Sequence, residues 1–114
     1  MTSYRAPAAT VPSRPLTITF ASRNRMEPTA RTRITLPVPM DVVEGLSVEE
    51  VAEAVFVATN APFEVAGLAA VVRAHFVAAA EVGAFYPTLS VGDVVRMGAD
   101  GAVEVASVGF TRVA

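Results

Sequence analysis

The sequence predicts a small α+β domain: two antiparallel β-hairpins forming one four-stranded sheet, covered on one face by a helical pair, in the order β-β-α-α-β-β. Three observations predict it. Leu16-Thr17-Ile18-Thr19-Phe20 and Ile34-Thr35-Leu36-Pro37-Val38 alternate with the period of two that a half-buried strand requires. From residue 47 to residue 82 the apolar spacing changes to three and four, as in helices that bury one side. Beyond residue 90 valine-rich alternation returns, interrupted by Gly98-Ala99-Asp100-Gly101, whose Asp-Gly step marks a tight reversal.

Taken in order, Met1 to Pro15 holds three prolines and no periodicity, and reads as an irregular N-terminal arm ahead of a single domain over residues 16–114. The first two strands should pair as a hairpin across the polar connection Ala21 to Ala30. Pro37 cannot donate to a ladder, which places the second strand at an edge. With Leu16, Ile18, Phe20, Ile34, Leu36 and Val38 toward the core, Thr17, Thr19, Arg31, Arg33 and Thr35 share the opposite face. Pro39 to Gly45 is expected to turn the chain toward the helices.

The first helix spans Ser47 to Asn60. Ser47 with Glu50 forms a capping box, and Val48, Val51, Ala52, Val55 and Phe56 make one apolar stripe. Glu49, Glu50 and Glu53 fall on the water side near the positive end of the helix dipole. Asn60 is expected in a left-handed stop, with Pro62 barring continuation. Truncation of Phe56 to Ala should cost about 3–5 kcal/mol if that ring is core. A second helix should run from about Glu64 to Glu81, with Leu68, Val71, Val72, His75, Ala79 and Val82 as its seam and Gly83 as its stop. In the final hairpin, Val94 to Met97 is followed by Ala102 to Phe110. Val108 and Phe110 rejoin the face of Val103 and Val105 only through a bulge near Ser107.

One domain is what 114 residues support, and the 53% hydrophobic share is enough for a core without cross-links. No stretch reaches the length of an apolar membrane span, since Arg73, His75 and Glu81 interrupt the closest, Val65 to Val82. The absence of cysteine excludes disulfide and thiolate chemistry and fits a cytoplasmic location. All nine basic residues are arginines. Six of them face one acid in Met1 to Met40, whereas three face ten acids in the remainder. A basic leading segment is thus joined to an acidic body.

Leu89-Ser90-Val91-Gly92-Asp93-Val94-Val95, followed by a hairpin ending in Gly109-Phe110, resembles the YodL-like domain of plasmid, phage and conjugative-element proteins. Glu53-Ala54-Val55-Phe56 with Thr59-Asn60-Ala61-Pro62 is similar to the segment preceding that motif, so the resemblance runs over about Leu46 to Phe110. It departs at Pro87-Thr88, where an arginine is usual. The resemblance implies an accessory module of a mobile element, and it brings no reaction and no catalytic residues. By its composition the Gly92-Asp93 turn is architectural.

Candidate chemistry is sparse. His75 is the only histidine and sits on an apolar seam, which suits a hydrogen-bonded structural residue better than a base or metal ligand. Neither a nucleophile elbow nor a phosphate-cradling glycine pattern occurs, so neither catalysis nor a cofactor is expected. Arg23, Arg25, Arg31 and Arg33 cluster on the first hairpin, where they suit phosphate or an acidic protein surface, or else form a solvated face that keeps an edge strand from aggregating. Val57 and Val77 lie off the helical seams and are candidate interaction residues. The leading expectation is a protein-interaction module acting on a partner or on itself. The alternative is a nucleic-acid-associated factor gripping the phosphate backbone with the arginine hairpin.

Overall fold

A computed structural model describes residues 12–21, 32–99 and 101–113. The elements are β1 (Ser13–Phe20), β2 (Thr32–Pro39), α1 (Met40–Val43), α2 (Val48–Asn60), α3 (Gly67–Glu81), β3 (Val94–Met97), β4 (Ala102–Val105) and β5 (Phe110–Val113). The strands form one antiparallel sheet in the order β2-β1-β3-β4-β5. The α+β class and the helical cover are therefore as expected, but the sheet has five strands and not four.

The fifth strand arises where a bulge was expected. The chain reverses over Ser107 and Val108, closed by a bond from the Ala106 N–H to the Gly109 carbonyl at 3.0 Å. Gly109 takes φ +67°, which L side chains rarely adopt, and that local reversal replaces the one-residue register shift. At the other end, β1 starts at Ser13, so the last three residues assigned to the arm belong to the sheet. Pro39 to Gly45 includes the single-turn helix α1.

Register explains three prolines in one sheet. Pro15 and Pro37 are cross-strand partners. The Pro15 carbonyl turns away from β2 to accept from the Gly98 N–H at 3.0 Å. Their pair is thus of the non-hydrogen-bonded kind, and neither missing N–H breaks the β1–β2 ladder. Pro37 and Pro39 then fall on the outer side of β2, which is the edge strand the sequence indicated.

The core lies between the sheet and the helices. Leu16, Ile18, Phe20, Ile34, Leu36 and Val38 are all buried, as the alternation required, and Val95, Val103 and Val105 continue that layer. α2 packs over β3 and β4, and α3 toward β2. Phe20 anchors an aromatic group, with its ring 6.4 Å from Phe76 edge-on and 6.0 Å from Tyr86 stacked.

Both bonds of the capping box form: the Glu50 N–H donates to Ser47 Oγ at 3.1 Å, and the Ser47 N–H to Glu50 Oε1 at 3.0 Å. Val48, Val51, Ala52 and Val55 are buried, but Phe56 is 38% exposed. The expected assignment of Phe56 to the core is therefore corrected. Ala58 and Phe56 flank the stripe on opposite sides, and α3 covers the Ala58 side. Asn60 is not left-handed: among the described residues only glycines have positive φ. It is the last helical residue, and its amide donates to the Phe56 carbonyl at 3.1 Å and the Leu89 carbonyl at 3.0 Å.

α3 begins at Gly67 rather than Glu64, since Gly67 has φ +61° and the chain before it forms a separate corner. Leu68, Val72 and Ala79 are buried, whereas Val82 is 68% exposed at the helix end and leaves the seam. His75 is half-buried and bonds to the backbone of Pro37, which must be the carbonyl because proline has no N–H. Burial lowers its pKa, partly offset by that bond. Since the folded pKa lies below the ordinary value, protonation opposes folding, so the contribution is complete above that value and is lost as pH falls. Denaturant midpoints should therefore drop less between neutral and mildly acidic pH in His75→Gln than in the parent chain. Equal drops in both would show that the imidazole does not titrate against the fold.

Candidate functional site

A groove runs between α2 and β5, with a volume of about 410 Å³. Phe56 and Glu53 form its helical wall and Phe110 its floor. Leu89, Val91 and the Ser107–Gly109 reversal close one end. Phe56 is 38% exposed, Val91 62% and Val108 90%, so the apolar surface continues out of the groove onto its rim.

Each wall is held by identifiable bonds. At the far end, Arg112 Nε donates to Glu49 Oε2 at 3.1 Å, and Arg112 Nη2 lies 3.0 Å from Glu49 Oε1. The pair ties β5 to the first turn of α2, and the guanidinium bond, followed by the Glu49 backbone N–H, holds the carboxyl below its usual pKa. At the near end, the Leu89 N–H donates to Thr59 Oγ1 at 3.0 Å while Asn60 donates to the Leu89 carbonyl. The residue that starts the Leu89–Val95 motif is thus clamped by both groups of its backbone to the last turn of α2.

Asp93 lies below this end and is fully buried. Its Oδ1 accepts from the Ala21 N–H at 2.8 Å and its Oδ2 from the Ser90 N–H at 2.9 Å. The Gly-Asp turn is structural, as its composition indicated. One carboxylate joins the end of β1 to the entrance of β3.

Phe110, the first residue of β5, lines the groove, and the outer edge of the strand starts there. Both backbone groups of Val105 point toward β3: its N–H donates to the Asp93 carbonyl at 2.8 Å, and its carbonyl accepts from the Gly92 N–H at 2.9 Å. The Val105–Phe110 pair is therefore not hydrogen-bonded, and the N–H and C=O of Phe110 point outward. By the same alternation so do those of Arg112. Among the described residues no strand pairs with this edge.

The two sheet edges are unlike. Four positions of β2 turn outward, two of them prolines, and the Pro37 carbonyl is engaged by His75. β5 has no proline, and its arginine is held back against Glu49.

Of the arginines singled out by sequence, Arg23, Arg25 and Arg31 lie outside the described residues. Arg33 is exposed on the sheet face turned from the helices, opposite Thr19. Val57 and Val77 do not form one surface. Val57 is half-buried in a shallow depression with Leu46 and Leu68, while Val77 is 53% exposed beside Phe85 near the end of α3. Sequence reasoning missed Phe110 and Phe56 as groove residues, because both were counted toward the core. Among the described residues no cluster of three His, Asp or Glu side chains is placed to hold a metal ion, and no helix is long and apolar enough to cross a membrane. Comparison with protein-family models, curated proteins and solved structures finds no match to this chain.

Proposed function

We propose that this domain is a non-catalytic protein-interaction module that takes an extended segment of protein along β5, with an apolar side chain seated between Phe56 and Phe110. The observation that carries this reading is the coincidence of a strand edge that no other described strand pairs with and an apolar groove beside it. Main-chain groups of Phe110 and Arg112 supply the ladder bonds, and the groove supplies side-chain selection. Phe56, Val91 and Val108 add exposed apolar area at this groove, which suits a binding surface. The likeness of Leu89 to Val95 to the YodL-like motif supports reading such a module as an accessory protein of a mobile element.

Selection of short peptides from a random displayed library tests it. Bound peptides should be extended, shift the amide resonances of Phe110 and Arg112, and lose binding to Phe56→Glu. Phe56→Ala should cost only about 1 kcal/mol of stability, because the ring is partly in water, yet weaken the same peptides severalfold. Peptides that leave the β5 amides unshifted would overturn the proposal. So would a Phe56→Glu variant that is folded and binds like the parent.

A further inference from the structure

We infer that the segment received by this groove is β5 of a second copy of the chain, added antiparallel about a two-fold axis through Thr111. The inference rests on the strand-addition reading above and names its partner.

The edge is self-complementary. Its outward backbone groups belong to Phe110 and Arg112, placed symmetrically about Thr111, whose own groups face β4. A two-fold axis across a strand edge demands antiparallel pairing. The register that sets Phe110 opposite Arg112 of the second copy, and Thr111 opposite Thr111, uses both N–H groups and both carbonyls of each edge. A shift by one residue in either direction would leave outward groups facing inward ones.

The side chains agree with that register. Phe110 and Arg112 are on the helical side of the sheet, since they pair with the buried Val105 and Val103. Each copy therefore sets its Phe110 ring beside the other's Arg112, whose guanidinium stays on Glu49 of its own α2. Val108 at 90% exposure and Val91 at 62% supply an apolar rim on which the copies close. The prolines of β2 keep the opposite edge out of such pairing, so the assembly ends at two copies with a ten-stranded sheet rather than a fibre.

The chain has no cysteine, so a single introduced thiol reports this geometry without background. In Thr111→Cys the two thiols would meet across the axis at a non-hydrogen-bonded pair, where side chains approach closest. Under mild oxidation this variant should form a covalent dimer at least an order of magnitude faster than Thr35→Cys on the exposed face of β2. The unmodified chain should sediment as a concentration-dependent dimer. Arg112→Pro removes an outward N–H and the Glu49 pair but no bond to β4, and should sediment as a folded monomer. Arg112→Gln, which removes the ion pair and keeps the N–H, should still dimerise. Equal cross-linking of the two cysteine variants, with a parent chain monomeric at its highest soluble concentration, would overturn the inference. If library peptides still bind along β5 in that case, strand addition stands and only the second copy is excluded. If they do not, both fall.

Discussion

Replacing Asp93 by alanine is expected to remove about 3–4 kcal/mol of stability, a large share of what a domain this size possesses. The carboxylate is fully buried and accepts from two backbone N–H groups on different segments, Ala21 and Ser90. Alanine leaves both donors unsatisfied where water does not reach freely, and each such loss costs about 1–3 kcal/mol. Asparagine keeps one acceptor but turns an amide NH2 toward the other donor, so Asp93→Asn should fall between alanine and the parent. Urea midpoints with an unchanged slope would measure the effect. A loss below about 1 kcal/mol in Asp93→Ala would mean that the turn is held by its other contacts. Because Ser90 follows the clamped Leu89, the alanine variant should also loosen the closed end of the groove.

The second large effect is expected at Arg73. Its guanidinium reaches from α3 to the end of α2, donating from Nε to the Ala58 carbonyl at 2.9 Å, from Nη1 to Phe63 at 2.6 Å and from Nη2 to Ala61 at 2.7 Å. The final carbonyls of a helix have no intrahelical partner and carry its negative pole, so a cation with several donors answers both needs. α2 has no basic residue in its own last turn, and the cap comes instead from the neighbouring helix. Arg73→Met preserves the length of the stem and removes the donors, and should cost about 2–4 kcal/mol. Arg73→Lys should recover only part, since a single ammonium cannot reach three carbonyls in a planar fork. If lysine proves as stable as arginine, charge at the helix end matters and the fork does not.

Local patterns specify most of the frame. Strict alternation in Leu16–Phe20 and Ile34–Val38 sufficed for the core face, because a strand's side chains alternate regardless of what lies beside it. The capping box of Ser47 and Glu50 was legible for the same reason: its bonds close within four residues. The reversal at Ser107–Gly109 was less so. Val108 looks like a core valine in sequence, and only the pairing of β5 with β4 puts it at a turn, 90% exposed.

By itself, then, the sequence determined the α+β class, the two-period layout, the edge placement of Pro37, the capped start of α2 and the architectural nature of Gly92-Asp93. These depend on backbone chemistry and spacing along a few residues. The tertiary structure alone decided that Arg73 caps a helix 15 residues away, that Leu89 is clamped by Thr59 and Asn60, and that Phe56 faces a groove rather than the core. An apolar stripe wider than its contact has two flanks, and which one is covered depends on where the next helix packs. The groove itself exists only because β5 ends the sheet beside α2, which is a matter of strand order and not of any residue's propensity.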